Sequence, residues 1–334
     1  MADSLLRIGI AGCGQAARIH VERLLKAADV QIVGCVDALR ESADALAGTI
    51  AGKGGARPAV FDDFRSLLDL RPDAVAIFTP HLGHYRQAMD ALQADIHVFI
   101  EKPLSTNTQE AADVVNLARG RKLKVGVGHQ YRLRPSLVEA RKRLAADAVG
   151  PLRLVTAALA EPWLARQQER GGESSWRFDP KLAGGGLLAD AGDHLIDALL
   201  WTTGRTPLEV FAVQSRLPSG LDVVTAATIR LQDDVPATVA LSGVSRGSLF
   251  ELNFFGERGR IHATDSLLEI DQGDGSPARR VELPEPSESI DANFLAALRG
   301  LGPLCCSAED ALETVRLSEA VARSAATGQV VQLV

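Results

Sequence analysis

The chain has 334 residues, of which 46% are hydrophobic and 23% charged, and its formal net charge is -6. A chain of this length exceeds the size at which one hydrophobic core usually keeps growing, so we expect two domains. The mild acidic charge and the lack of long Lys or Arg runs argue against nucleic acid as the main ligand. No apolar run reaches the roughly 18 residues of a membrane-spanning helix, so we expect no membrane partner.

The N-terminus and the cysteines predict a cytoplasmic protein. Asp3 and a short apolar stretch lead directly into a strand, without the charged-then-apolar design of a signal peptide. The four cysteines show no CxxC spacing, and the adjacent Cys305 and Cys306 are poorly placed for an ordinary disulfide. We therefore expect four reduced thiols in a reducing compartment.

The order of apolar and amphipathic runs predicts two domains of different architecture. Up to residue 128, nearly all-apolar strands alternate with helical stretches, which is typical of a doubly wound parallel sheet in an α/β protein. From residue 129 to 334, strand-like runs are separated by turn sequences, which predicts an α+β domain with a large, mostly antiparallel, open sheet. One helix from about Gly185 to Trp201 and a helical region from about Ile290 to Ala326 complete this second domain.

A glycine turn follows the first strand and predicts a dinucleotide site. Gly12 and Gly14, followed by Gln15, Ala16 and Ala17, form a G-x-G-x-x-A pattern in the strand-turn-helix context of the Rossmann fingerprint. Gly12 permits the tight turn and Gly14 lets the backbone approach a pyrophosphate at the helix N-terminus. We expect Gly12, Gly14, Gln15 and Ala16 to contact the cofactor.

The second strand ends in Asp37, about 20 residues beyond the turn, where a carboxylate accepts hydrogen bonds from the adenosine ribose. The same carboxylate repels a 2′-phosphate, so we predict NAD, and the nearby Arg40 leaves NADP open. Capping of the following helix is another reading of Asp37, compatible with the first.

Two further strand ends extend the predicted site, because ligands of open α/β sheets lie beyond the carboxyl ends of the strands. Thr79 and Pro80 follow the fourth strand and are expected to line the nicotinamide half. His84 is counted among the cofactor contacts, although histidines in a loop or at a helix start, such as His81 and His84, are commonly caps or surface groups.

The fifth strand delivers Glu101, Lys102 and Pro103 at its carboxyl end. Pro103 biases Lys102 away from helix and keeps it extended at the sheet edge. We expect Glu101 and Lys102 to contact the cofactor. Lys102 is also a candidate catalytic residue, although lysines after a strand are often plain surface groups.

A second candidate set lies on the helix after Gly184, Gly185 and Gly186. Asp190, His194 and Asp197 occur at i, i+4 and i+7, which at about 100° per residue places them on one outward face. Such a stripe is often simply solvated, but an Asp-His pair one turn apart suits a general base with its supporting carboxylate. A metal site is the competing reading, but Asp190 and His194 supply only two ligands and no HExxH or Cys cluster completes them, so we predict no metal.

These motifs together resemble the Gfo/Idh/MocA oxidoreductase family, named after glucose-fructose oxidoreductase and inositol dehydrogenase. The resemblance covers nearly the whole chain and is most specific in four stretches, HVFIEKPL (97–104), VGHQYRLRPS (127–136), GGGLLADAGDHLIDALLWTTG (184–204) and ETVRLSEAVARSAATGQVV (313–331). Ala17 stands where many members have Gly, and alanine is an accepted variant.

The resemblance implies residue roles. Lys102, Asp190 and His194 match the family's catalytic lysine, aspartate and histidine, with His194 accepting the alcohol proton and Lys102 binding the reacting oxygen. Tyr131 and Arg132 match the segment that crosses between domains and are expected to contact substrate, and the Lys102-Pro103 bond resembles the family's often cis peptide.

The substrate positions are the least determined by sequence. Residues 161–183 lie where such enzymes differ, and several side chains there or on the following helix could contact a sugar or serve only in packing: Trp163, Arg166, Trp176, Arg177 and Asp197.

The resemblance predicts an NAD(P)-dependent oxidoreductase that moves a hydride between the nicotinamide and a secondary hydroxyl or ketone of a sugar, cyclitol or glycoside. A non-catalytic sensor of NAD(P) or sugar is one alternative. An enzyme that keeps and recycles its NAD during transient oxidation, glycoside cleavage or dehydration is another. We also expect a homodimer or homotetramer formed through the sheet of the second domain.

Overall fold

The computed structural model describes residues 5–172, 175–286 and 288–333. Asp3, used in the argument about export, lies outside these ranges. The chain divides into two compact units, the first made of residues 1–128 and 288–312 and the second of residues 129–287 and 313–334. Segment 288–312 thus belongs to the first unit, a return that the prediction of an unbroken second domain over 129–334 did not include.

The first unit contains a six-stranded parallel sheet with the order β3-β2-β1-β4-β5-β6. Its strands are short, and all but the edge strand β3 are largely buried, as expected for a sheet covered on both faces. They are β1 (Leu6–Ala11), β2 (Val30–Val36), β3 (Ala59–Phe61), β4 (Ala74–Ile77), β5 (His97–Ile100) and β6 (Val125–Val127). The predicted doubly wound sheet is confirmed.

Helices follow these strands, and several begin at a side-chain cap that their sequence supplies. Asn107 accepts a hydrogen bond from the Glu110 amide at 3.0 Å, and Ser289 accepts one from the Ala292 amide at 3.1 Å. The helices are α1 (Gln15–Leu24), α2 (Arg40–Gly52), α3 (Phe64–Asp69), α4 (His81–Gln93) and α5 (Thr108–Arg121), with α10 (Ile290–Leu298) contributed by the returning segment.

The second unit contains a nine-stranded sheet with the order β14-β13-β12-β11-β7-β10-β9-β8-β15. All of its neighbouring strands pair antiparallel except β7 and β10, which are parallel. Its strands are β7 (Leu152–Ala160), β8 (Pro207–Arg216), β9 (Asp222–Leu231), β10 (Val235–Ser242), β11 (Leu249–Gly256), β12 (Gly259–Thr264), β13 (Leu268–Asp271), β14 (Arg279–Arg280) and β15 (Val331–Gln332). The predicted mostly antiparallel sheet is confirmed.

The helices of this unit differ from their predicted bounds. Residues Leu188–Gly192 form one turn of π-helix, so the regular helix starts only at Asp193. The predicted single C-terminal helical region is two helices separated by nine residues that include Pro303. The α-helices are α6 (Pro135–Ala145), α7 (Trp163–Glu169), α8 (Pro180–Ala183), α9 (Asp193–Thr203) and α11 (Ala308–Thr327), whose first turn groups with the first unit.

One face of the nine-stranded sheet carries the core of the second unit, and the other is open. Residues alternate between buried and exposed along β9 and β10, as a half-buried strand requires. Ala226 and Ala240 lie side by side on the open face, and Val213 next to them is 61% exposed. Among the described residues, no helix is long and apolar enough to cross a membrane.

Candidate active site and cofactor cradle

The glycine turn joins β1 to α1 in a conformation that only glycine adopts easily. Gly12 has φ +81°, and a Cβ added there would lie 2.6 Å from the Phe78 carbonyl carbon of the neighbouring strand. Gly14 immediately precedes α1, and a Cβ there would meet nothing within 4 Å. Gln15 and Ala16 form the first turn, with Gln15 exposed. The turn therefore leaves open space at a helix N-terminus, where an anion is stabilised.

Asp37 lies directly after β2 and braces this turn. Its Oδ2 accepts a hydrogen bond from the Cys13 amide at 2.7 Å, and its Oδ1 accepts one from the Leu39 amide at 2.9 Å. Carboxylate oxygens have further acceptor capacity, so the side chain can still bind ribose hydroxyls. Arg40 is exposed at the start of α2, and its Nη2 donates to the Val60 carbonyl at 3.4 Å. These residues fit a dinucleotide.

The loop after β4 is shaped by a buried histidine. His84 is fully buried, with Nδ1 2.7 Å from the Pro103 carbonyl oxygen and Nε2 2.9 Å from the Thr79 carbonyl oxygen. Burial lowers the pKa of His84 below its usual value. Both ring nitrogens face the backbone, so His84 joins two loops, and we drop it as a cofactor contact. The alternative that these two histidines are surface groups is wrong, because His84 is fully buried and His81 is 4% exposed.

Thr79 and Pro80 occupy the predicted place beyond the carboxyl end of β4. The Thr79 hydroxyl donates to Gln87 Oε1 at 2.7 Å, and Pro80 immediately precedes α4. Both are only partly buried, so both can line a ligand.

Lys102 follows β5 and is 9% exposed, and the Lys102-Pro103 peptide is cis, as the resemblance implied. The Glu101 carboxylate lies against protein groups on both sides. Its Oε2 accepts from the Lys102 amide at 3.1 Å, and its Oε1 lies 2.8 Å from His20 Nε2. Glu101 is thus engaged in supporting Lys102, and we do not retain it as a cofactor contact.

Sequence reasoning missed His20. It lies on the buried side of α1 with Ala17, Val21 and Leu24, where the helical spacing calls for an apolar residue. A polar side chain among three apolar positions of a buried helix face was the signal available in the sequence.

The helix after the three glycines differs from the predicted regular helix with an outward polar stripe. The π turn at Leu188–Gly192 alters the angular relation between Asp190 and His194. Asp197 is fully buried, so the prediction that this stripe faces outward is wrong at that residue. Of the three glycines, Gly186 admits a neighbouring backbone, because a Cβ there would lie 2.1 Å from the Asp222 carbonyl oxygen.

Asp190 is fixed by two residues from the variable segment. Its Oδ2 accepts from Trp163 Nε1 at 2.9 Å and from Arg177 Nε at 3.2 Å. The Arg177 guanidinium also lies 4.2 Å from the centre of the Trp176 ring. Arg166, in contrast, pairs with Glu161 at 2.9 Å. Of the candidate sugar contacts in this segment, Arg177 and the buried Trp163 thus bond Asp190, and Trp176 lies against Arg177.

Tyr131 lies flat against His194. The ring centres are 4.4 Å apart and the planes differ by 11°. The Arg134 guanidinium lies 3.1 Å from the Tyr131 ring centre, and Arg134 is itself paired with Asp265. The Tyr131 ring therefore fixes one face of the His194 imidazole, and the Arg134 guanidinium in turn holds the Tyr131 ring.

Arg132 and Asp197 form a buried ion pair. Arg132 Nε donates to both Asp197 oxygens at 3.0 Å, and its Nη2 donates to Oδ1 at 2.6 Å. Arg132 is 4% exposed and Asp197 fully buried. This bidentate pairing accounts for the guanidinium structurally, so we withdraw the expectation that Arg132 and Asp197 contact substrate.

Comparison with known proteins agrees with this geometry. A model described as an oxidoreductase family with an NAD-binding Rossmann fold matches residues 6–129, and a model of the Gfo/Idh/MocA C-terminal domain matches residues 137–262. The chain therefore belongs to the Gfo/Idh/MocA oxidoreductase family, and the predicted family, enzyme class and NAD cofactor are confirmed.

Individual relatives are distant. D-Glucoside 3-dehydrogenase of Escherichia coli (strain K12) is 30% identical over 210 residues, which cover 61% of this chain and 56% of that enzyme, so the match spans little more than half of it. UDP-N-acetylglucosamine 3-dehydrogenase of Acidithiobacillus ferrooxidans is 28% identical over 75% of this chain and 71% of that enzyme. A solved structure of the latter enzyme superimposes with a TM-score of 0.79 and 25% identity over 96% of this chain and 97% of the other.

Proposed function

We propose that the protein is a dehydrogenase that oxidises a secondary hydroxyl of a sugar, cyclitol or glycoside, or reduces the matching ketone. The observation that carries the proposal is the stacked Tyr131-His194 pair, a titratable base held in one orientation at the start of α9. The substrate class draws support from the two relatives, which are named as 3-dehydrogenases of a glucoside and of a nucleotide sugar.

The first unit would hold the cofactor through the glycine turn. The amides at Gly14, Gln15 and Ala16 face the open space before α1 and would bind the pyrophosphate, and Asp37 would bind the adenosine ribose. Thr79 and Pro80 would line the nicotinamide half. NAD, when bound, supplies the hydride acceptor, and Arg40 leaves a route to NADP.

In the oxidation, His194 accepts the hydroxyl proton as the carbon loses its hydride. Lys102 donates a hydrogen bond to the same oxygen and stabilises the negative charge that develops on it. Asp190, fixed by Trp163 and Arg177, supports this arrangement. Tyr131, Trp176 and Arg177 are retained as substrate contacts together with Lys102, Asp190 and His194.

The test is a reduced-nicotinamide absorbance screen with NAD and NADP against cyclitols, aldoses, uronates and glycosides. The wild type is run beside His194→Ala, with His262→Ala as a matched control, because His262 lies in the same unit on β12 and between two glutamates. Reduction of NAD by the wild type and the control, and loss of it in His194→Ala, would support the proposal. Equal rates in all three proteins would refute it.

Lys102→Ala separates the catalyst from the alternatives. A catalyst loses turnover in this variant while still binding NADH, whereas a sensor is indifferent to it. An enzyme that recycles NAD would release nucleotide when the purified protein is denatured, which absorbance of the filtrate detects.

We also propose that a second copy of the chain covers the open face of the nine-stranded sheet, in the cytoplasm. Small side chains line this face in register across three strands, from Ala158 through Ala240 to Ala226, and Val213 and Phe211 are exposed at its β8 edge. Such a row of small and apolar side chains suits self-association. Light scattering at micromolar concentration should give at least a dimer, and Val213→Glu should shift it toward monomer; a monomeric wild type would refute the proposal. Cell fractionation tests whether the protein is cytoplasmic.

A further inference from the structure

A group of charged side chains meets on the buried side of α1 in the first unit. His20 is 5% exposed and Asp291 is 1% exposed, and neither is used in the proposed chemistry. His20 Nδ1 lies 2.6 Å from Asp291 Oδ1, and His20 Nε2 lies 2.8 Å from Glu101 Oε1. Arg23 approaches the other Asp291 oxygen at 3.6 Å. One imidazole therefore bridges two carboxylates.

The three bridged residues come from three parts of the chain. His20 lies on α1, the helix that begins at the glycine turn, and Glu101 lies at the carboxyl end of β5. Asp291 lies in the first turn of α10, in the segment that returns to this unit. The His20 ring also stacks on the ring of Phe78, the residue before Thr79, with 4.8 Å between the ring centres. The bridge thus connects the returning segment to the residues around Lys102.

The chemistry of the bridge requires a protonated ring. Both neighbours are acceptors when ionised, and an imidazole can donate from both nitrogens only in its charged form. Burial works against that form, but the hydrogen bonds to Asp291 and Glu101 outweigh it and raise the pKa of His20 to about 9. At neutral pH the bridge is therefore a cation between two anions, which strengthens both hydrogen bonds.

We propose that His20 is a positioning residue for Lys102: it fixes the Glu101 carboxylate, which accepts the Lys102 amide, and ties this segment to α10. The proposal rests on the catalytic role proposed for Lys102. Glu101 holds the backbone at the lysine with Oε2 while His20 bonds Oε1, so loss of His20 removes one of the bonds that orient the carboxylate toward the Lys102 amide. A displaced donor at the reacting oxygen lowers turnover more than it lowers cofactor affinity.

The test compares His20→Gln with His97→Gln. His97 is a partly buried histidine at the other end of β5, where its Nδ1 accepts a hydrogen bond from the Lys124 amide. It therefore controls for the loss of a hydrogen-bonded histidine from the same unit. The measurements are kcat, the NADH dissociation constant from fluorescence, and amide hydrogen exchange in peptides covering residues 98–105 and 288–300.

The proposal expects kcat to fall roughly 10- to 100-fold in His20→Gln, with the NADH constant changed less than about 3-fold. Exchange should accelerate in both peptides, whereas His97→Gln should leave both unchanged. Unaltered exchange at residues 98–105, or a kcat loss matched by an equal loss of NADH affinity, would overturn it. If no alcohol is oxidised even by the wild type, the dehydrogenase proposal fails, but the exchange experiment still decides whether His20 positions this segment.

Asp291→Asn provides a second variant if His20→Gln does not fold. The amide keeps a group beside Nδ1 but removes one negative charge, so exchange at residues 98–105 should rise above that of the wild type, and unaltered exchange there would overturn the proposal. Where both single variants fold, the double variant His20→Gln/Asp291→Asn should lose less kcat than the two single losses combined, because the two residues act through one bridge. Additive losses would overturn the proposal.

Discussion

The Tyr131 ring lies parallel to the His194 imidazole, 4.4 Å between centres, and fixes one face of the proposed base. Tyr131→Ala removes this support, and we expect kcat to fall roughly 10- to 100-fold while the NADH dissociation constant is retained. Steady-state kinetics on the first alcohol found in the screen, with NADH fluorescence titration, would measure both.

Tyr131→Phe is the matched control, because it keeps the ring and removes only the hydroxyl. Activity near that of the wild type would attribute the effect to stacking. A loss as large as that of Tyr131→Ala would instead assign the function to the phenolic hydroxyl as a substrate contact.

Breaking the buried Arg132-Asp197 pair should destabilise its unit. Arg132→Met leaves the buried Asp197 carboxylate without its charged partner, which costs about 3 to 5 kcal/mol in comparable pairs. Thermal unfolding followed by circular dichroism should show a marked drop in Tm. The double variant Arg132→Met/Asp197→Leu should recover much of it. An unchanged Tm with a raised KM would restore Arg132 as a substrate contact.

Local sequence pattern was sufficient for the sheets and the glycine turn. Apolar strands alternating with helices specify a parallel sheet because both faces must be covered, and Gly12 sits where φ is positive. The direction of the Asp37 carboxylate, by contrast, depends on the Cys13 and Leu39 amides, which only the folded turn brings to it.

Long-range pairings were beyond the sequence. Asp197 has the spacing of an outward residue, yet it is buried because Arg132, 65 positions earlier, supplies its charge partner. His20 and Asp291 are 271 positions apart, so neither the bridge nor the return of segment 288–312 leaves a periodic signal. The π turn before α9 has the composition of an ordinary helix, so its residues do not distinguish it from one.

The His20 bridge predicts a loss of stability at alkaline pH. The pKa of His20 is raised from 6.5 to about 9 in the folded chain, so its stabilisation is fully present below pH 6.5 and is lost as pH rises through about 9. The groups facing the ring are Glu101, Asp291 and, beyond the latter, Arg23. The shift corresponds to on the order of 3 kcal/mol.

Tm measured between pH 6 and pH 10 should therefore fall more steeply in the wild type than in His20→Gln. The difference between the two proteins matters, because lysines and tyrosines titrate in both. Parallel curves would mean that His20 is neutral in the folded protein.

Asp37 should determine the choice between NAD and NADP. Asp37→Asn keeps an acceptor for the Cys13 amide but removes the charge that binds the ribose hydroxyls and repels a 2′-phosphate. We expect NADH binding to weaken roughly 10-fold or more, from the loss of a charged hydrogen bond, and NADPH binding to improve relative to it. Fluorescence titration of both nucleotides measures the ratio. An unchanged ratio would assign Asp37 to bracing the turn alone.

The two glycines of the turn should separate folding from cofactor binding. Gly12→Ala forces a Cβ to within 2.6 Å of the Phe78 backbone at φ +81°, so Tm and NADH affinity should fall together. Gly14 has open space around its missing Cβ and φ -75°, so Gly14→Ala should retain Tm. It should still weaken NADH binding, because the new methyl group occupies the space that the pyrophosphate would enter. If Gly14→Ala binds NADH as the wild type does, the phosphates do not lie at the N-terminus of α1, and the proposed cofactor cradle is wrong even though the fold around it stands.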